Sequence, residues 1–423
     1  MSEVQTAAIA TGPTAENLKS IETSQTFFQI VYSQFKEHKA AVFGAYTIIF
    51  FILVALLAPV IEYATGTNAD SQNVFNRYKP PFSKIIAPQD ARENQIQTFI
   101  QANPSDAAVI QAALLEKNVV QPVRPEDAMY DWVNLEKSKA IEAMQSIDTS
   151  KKDQLIKMVN NFESFHLFGT DELGRDVLMR LVYGTQVSIG VGVLVAIASA
   201  VIGLIIGSLA GYYGGFIDTI LMRVTDSLLS LPILPVLVVI AAIDLKKVLG
   251  GLVNVANSWF GEAAGNFTQE IVNNIFSGGK ESIYKLVFIL CLFSWMTVAR
   301  LIRGAILSLR EREFILASKT LGATDLTIIV RHMFPNVVAP LLVSVTLGVG
   351  DSILFEAALS YLGLGIQPPM PSWGNMLFNA QELIYQAPFL AVLPGILIFL
   401  VVVSFNFLGD GLQDAIDPKT VRR

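Results

Sequence analysis

Residues 40–61, AAVFGAYTIIFFILVALLAPVI, are 22 consecutive residues without a charge. As a helix rising 1.5 Å per residue, that run crosses roughly 30 Å of bilayer hydrocarbon. Five further apolar runs follow, at about 187–210, 227–243, 283–302, 337–361 and 389–408. The pattern predicts an all-α integral membrane protein with six transmembrane helices. Composition agrees: 52% of the 423 residues are hydrophobic and 16% are charged, with a mean hydropathy of +0.50. A soluble domain rarely has this balance.

The runs carry their own instructions. The second is rich in Gly, Ala and Ser, which let helices approach closely in lipid. The third contains Pro232 and Pro235, which kink that helix or break its start. In LPILP these prolines serve either as a packing kink or as a gate hinge. The fourth has Lys285 near one end and Arg300 near the other, where long side chains reach the interface.

Six spans place both termini on one side of the membrane. Short loops rich in Lys and Arg stay cytoplasmic. The loop 303–336 holds Arg303, Arg310, Arg312, Lys319 and Arg331, whereas 362–388 holds no Lys or Arg. The tail adds Lys419, Arg422 and Arg423. Both termini and the 303–336 loop are therefore expected in the cytoplasm, and the polar segments 62–183 and 244–282 outside. Lys246 and Lys247 run mildly against this placement. The chain divides into a cytoplasmic tail (1–39), the first span (40–61), an extracytoplasmic insert (62–183), a core (184–410) and a second tail (411–423). The insert, with helix-like pieces NLEKSKAIEAMQSI and KKDQLIKMVNNF, reads as a small helical cap, a docking face or a solvated decoration.

Arg310–Asn336 is a charged island between apolar runs. Good helix formers fill 303–321, Gly322 can end that helix in the left-handed conformation, and Asp325 can cap the next. Pro335 is expected to stop the second helix. A helical hairpin at a membrane face is a docking knob for a soluble partner. No GxxxxGK[ST] motif occurs, so a nucleotide-driven machine built on this chain needs its ATPase on another.

Other chemistry is sparse. The single cysteine, Cys291, excludes an internal disulfide, and His38, His166 and His332 are too far apart in sequence to suggest a metal cluster. No basic run suits nucleic acid, and no nucleophile or paired acid–base set suggests an enzyme. Asp351 and Glu356 lie inside the fifth run, where carboxylates are costly and face the bundle interior or a water-filled path. Five residues apart, they point about 140° away from each other. Each is read either as hydrogen-bonded within the bundle or as lining a path. They are also the only support for a self-sufficient secondary transporter or channel, which would need inverted repeats. In GTDELGRD (169–176), Thr170 and Asp171 can cap a turn, Gly174 allows a sharp bend and Asp176 can start the span helix. Arg175 can pair with Asp171 or Asp176. This stretch is a cap network or a contact for a soluble protein. In PSWGNM (371–376), Trp373 suits a membrane interface or a partner surface, within a re-entrant turn or an outer gate.

Five stretches together resemble a known family: FGTDELGRDVLMRLVYGTQVSIGVG (168–192), AGYYGGFIDTILMRVTDSLLSLP (210–232), the hairpin 310–336, EAALSYLGLGIQPPMPSWGNML (356–377) and FNFLGDGLQDAIDPK (405–419). The chain resembles the C-type inner-membrane permease subunit of dipeptide, oligopeptide and nickel ABC importers. The resemblance covers roughly 165–420 and the first span. It implies a homologous second permease, two ABC ATPase subunits and an extracytoplasmic binding protein. It also implies that ATP and magnesium bind on partner chains, and that small peptides, nickel or a related solute are the cargo. By the same resemblance, the hairpin couples to the ATPase through Glu313, Leu316, Ala317, Ser318, Gly322, Ala323, Asp325, His332 and Pro335. Leu316 stands where the family has Glu; Glu313, one turn earlier on the same face, can supply that charge.

Overall fold

The computed structural model describes residues 27–72, 76–86, 89–104, 153–154, 163–243, 251, 258 and 281–416. Both helix-like pieces of the insert lie outside these, save residues 153–154, as does nearly all of 244–282. Helices α1 (Phe27–Glu37), α2 (Lys39–Leu56) and α3 (Ala58–Thr65) form the start of the bundle. His38 ends the first and caps the second, its Nδ1 accepting from the Ala41 amide at 3.1 Å. Strand β1 (Ser83–Ile86) and helix α4 (Gln89–Ala102) follow, and strand β2 (Glu163–His166) pairs antiparallel with β1, Ser83 opposite His166. Among the described residues the architecture is thus mostly helical with one small β-ribbon. That ribbon brings Ser83–Ile86 and Glu163–His166, both within the insert, side by side.

Helix α5 (Val177–Tyr213) is 37 residues long, about 55 Å at the α-helical rise. It packs along α8 (Glu281–Arg310) through a glycine seam. A Cβ on Gly203, Gly207 or Gly211 would lie 2.6 Å from Val298 Cβ, 2.5 Å from the Ala299 carbonyl and 2.8 Å from Ile306 Cβ. Four-residue spacing puts all three on one face, and the missing side chains let the backbones touch.

The third apolar run is not one continuous span. Helices α6 (Gly215–Leu229) and α7 (Ile233–Ala242) meet at 87°. The break falls at Ser230–Pro232, where Pro232 adopts an extended conformation at the N-cap of α7. Among the described residues five helices are long and apolar enough to cross a membrane, six if this bent pair counts as one. Asp218 and Asp226 of α6 are tied to α8, Arg303 reaching Asp218 at 2.5 and 2.6 Å and Arg300 reaching Asp226 at 2.5 Å.

After α9 (Glu313–Thr320), helix α10 runs unbroken over Asp325–Tyr361. Pro335 does not stop it. Residues Ile328–Met333 widen into a π-helix just before that proline. Pro335 has no N–H to give and its ring crowds the carbonyl four residues back; the wider turn accommodates both. The chain closes with α11 (Trp373–Ala380) and α12 (Phe389–Ile416). The main core joins α2, α5, α10, α11 and α12 around Phe51, Leu181, Ile353, Trp373 and Phe405.

Candidate coupling hairpin and transport path

The hairpin stands on an apolar foot. Ile315 is 2% exposed and packs with Tyr212, Ile302, Ile306, Ile328 and Met333, so one buried side chain fixes α9 to the bundle. The helix expected over 303–321 is in fact two. α8 continues to Arg310, and the chain breaks at Glu311–Arg312 before α9 begins. Gly322 takes φ +81°. Its amide donates to the Lys319 carbonyl at 3.0 Å, and that of Ala323 to Ser318 at 3.1 Å. This double bond pattern closes a helix C-terminus around a left-handed residue. Thr324, not Asp325, caps the next turn, accepting from the Thr327 amide. Asp325 is instead held sideways: the Tyr212 hydroxyl donates to its Oδ1 at 2.5 Å.

Of the remaining hairpin positions, Glu313, Leu316, Ala317, Gly322 and Pro335 are exposed, and Ser318, Ala323 and His332 are half-buried. Ser318 donates to the Phe314 carbonyl, and the His332 carbonyl receives the Asn336 side chain at 2.7 Å. Leu321 is 88% exposed and Leu326 72%. With Leu316 and Phe314 they make an apolar crest, of which the sequence motif marks Leu316 alone.

At the opposite end of α5, the GTDELGRD stretch is a closed network. Asp176 caps α5, accepting from the Met179 amide at 2.7 Å, while its second oxygen meets His166 Nδ1 at 2.6 Å. Asp171 accepts from the amides of Leu173 and Arg175 at 2.9 Å and pairs with Arg175 Nε at 2.7 Å. Gly174 turns the chain with φ 72°. Thr170 bridges to the first part of the insert through the Asn76 carbonyl and the Lys79 amide. Asp171 and Arg175 are buried, at 4% and 2% exposure, so neither presents a surface to a soluble protein. Glu172 sits at the margin, accepting from Arg175 and Asn379. Burial pushes its carboxyl above the ordinary value of 4.5, and the neighbouring Asp171 adds to the push.

The two carboxylates of α10 part company. Glu356 is fully buried, accepting from the hydroxyls of Ser360 at 2.8 Å and Ser188 at 3.1 Å. Those hydroxyls in turn accept from the amides of Ile366 and Trp373, both at 3.2 Å. One acid therefore folds the segment after α10 back onto the bundle. Trp373 is wholly buried by this arrangement, its indole donating to the Leu181 carbonyl at 3.2 Å. It lies neither at an interface nor on a partner surface, because the capping box of Ser372 and Asn375 turns it inward. Asp351, by contrast, is exposed on the outside of the single chain. It lies on the helix face of Leu347, Ser344 and Pro340, one, two and three turns earlier, which line a groove of about 480 Å³ with Leu301 and Gln413. Among the described residues no group of His, Cys, Asp or Glu is arranged to hold a metal.

A bundle of long apolar helices with a protruding hairpin describes a multi-pass membrane protein. The chain belongs to the family of binding-protein-dependent transport system inner membrane components, whose model matches residues 203–422. Residues 26–81 match the N-terminal transmembrane domain of oligopeptide transport permease C. A dipeptide transport system permease protein of Alkalihalophilus pseudofirmus is 39% identical over 254 residues, 60% of this chain and 72% of its own. Glutathione transport system permease proteins are similar: 37% identical over 257 residues in Pectobacterium atrosepticum, covering 60% and 73% of the two chains. In an Escherichia coli strain the figures are 39% over 263 residues, 62% and 75%. The chain is a multi-pass inner-membrane protein and a permease subunit of an ABC importer, a class that works with ATPase and substrate-binding partners.

Proposed function

We propose that this permease carries small peptides, and that it forms half of the translocation path beside a homologous second permease. Two ATPase subunits, holding ATP and magnesium, drive it from the cytoplasm, and an extracytoplasmic binding protein supplies the cargo. The names of the dipeptide and glutathione relatives support the peptide class. Counting the bent α6–α7 pair as one span gives an even number of spans among the described residues, which supports both termini lying on one side. The five Lys and Arg residues of 303–336 and their absence from 362–388 support the cytoplasmic side. The insert is then extracytoplasmic. A self-sufficient secondary transporter is not favoured.

The single observation that carries the coupling claim is the hairpin's geometry. An exposed apolar crest on α9 and the first turn of α10 follows α8, and both α8 and α10 are long and apolar enough to cross a membrane. Leu316, in place of an acid, belongs to that crest, so its docking relies on shape more than on an ion pair. The Gly322→Pro substitution tests this. Proline cannot adopt φ +81° and removes the amide bonded to Lys319. Stimulation of ATP hydrolysis by loaded binding protein should vanish in the assembled complex, while the subunit still inserts. Normal stimulation would refute coupling through the hairpin.

A further inference from the structure

Both arms of the hairpin are tied to one residue of a different helix. Tyr212 is the penultimate residue of α5, and its ring is 9% exposed within the hairpin's foot. Its hydroxyl donates to Asp325 at the start of the second arm, at 2.5 Å. Its carbonyl accepts from Arg310 Nη1, at the end of α8 where the first arm begins, at 3.5 Å. The neighbouring Gly211 brings α5 into backbone contact with α8 at Ile306 and Arg303. The base of the hairpin is thus closed on α5. Of residues 311–324, Ile315 stays within the buried foot beside Tyr212, while Leu321 is 88% exposed.

A lever transmits force only where its root is held. Ile315 holds α9 by apolar packing, which permits sliding; without the polar Tyr212 tie, three soft places could absorb the motion. These are the break at Glu311–Arg312, the left-handed Gly322 and the π-turn at Ile328–Met333. With it, displacement of the tip passes into α5, whose far end lies about 55 Å away and is anchored by the Asp176 cap and the buried Asp171–Arg175 network. A hydrogen bond to a charged acceptor is among the stronger polar contacts available for this purpose.

We propose that Tyr212 is the positioning residue that roots the hairpin, so that motion delivered by the ATPase enters α5. This rests on the coupling reading given above. It is tested in the assembled complex, with Cys291→Ser removing the native thiol and an environment-sensitive dye on Gly190→Cys. Gly190 is exposed on α5, and a side chain there meets nothing within 4 Å. Addition of ATP should change the dye signal. Tyr212→Phe keeps the ring and its packing but should shrink that change by about fivefold per ATP hydrolysed. Asp325→Ala should do the same, Asp325→Asn should retain most of the signal, and the Tyr212→Phe/Asp325→Ala pair should lose no more than either alone.

Losses that multiply in the pair would show two independent packing roles and overturn the proposal. An undiminished signal in Tyr212→Phe, failure of that variant to assemble, or no ATP response in the unaltered complex would do likewise. Gly322→Pro separates the two ideas. If it keeps the ATP response, the coupling reading fails. If it abolishes the response while Tyr212→Phe does not, only the role of Tyr212 fails.

Discussion

Glu356 and Asp351 show how much a few residues of helical phase matter in a membrane. Glu356 points into the bundle and satisfies two serine hydroxyls that themselves hold two backbone amides. Removing it strands two buried hydroxyl donors, on α5 and α10, which costs about 3 kcal/mol. Glu356→Ala should therefore lower the unfolding midpoint of the purified subunit sharply. Asp351→Asn should leave that midpoint unchanged within about 0.5 kcal/mol, since exposed positions contribute little, yet alter uptake. Stability measured by denaturant titration in detergent, beside vesicle uptake, separates the two; equal destabilisation would contradict the division. The sequence already set these carboxylates on different faces, because a 140° offset follows from helix geometry alone. It left open which one faced inward. That choice depends on Ser188, distant in sequence, and no local pattern announces it.

At the scale of elements, the glycine seam between α5 and α8 is the part of the bundle most plainly written in the chain. A span rich in small residues predicts close packing, and Gly203, Gly207 and Gly211 supply it. At Gly207 the nearest neighbour is a carbonyl oxygen, which cannot rotate away. Gly207→Val should force the helices apart and destabilise the subunit by about 2–3 kcal/mol. Co-purification with the partner permease, together with a thermal melt, would register it; an unchanged melt would mean that the helices are not in backbone contact.

Other elements were harder to read. A proline ends an α-helix unless the preceding turn widens, and the π-turn that admits Pro335 has no residue signature of its own. The residue type of Trp373 alone points to an interface. Its burial comes from a capping box and a folded-back segment that depend on contacts across the bundle. Asp325 looked like a cap, but Thr324 took that role and freed Asp325 for Tyr212.

Across the whole molecule, the long helices join two distant ends. One end holds the insert's ribbon and the buried ionic network at the start of α5; the other holds the hairpin and its apolar crest. The apolar runs made the spans visible from sequence, and the charge of the short loops gave their proposed direction. The insert was not readable, because mixed charges and scattered helix formers do not fix how a polar segment packs. The pairing of β1 with β2 links residues about 80 apart. The central claim is that the hairpin end meets an ATPase subunit. It is tested most directly by single cysteines placed at Leu321→Cys and Tyr385→Cys in a Cys291→Ser background. Both positions are strongly exposed, at 88% and 97%, and they lie at opposite ends of the bundle. A bifunctional crosslinker applied to the complex should join position 321 to the ATPase and leave position 385 free of it. A crosslink to the ATPase from 385 and none from 321 would contradict the account.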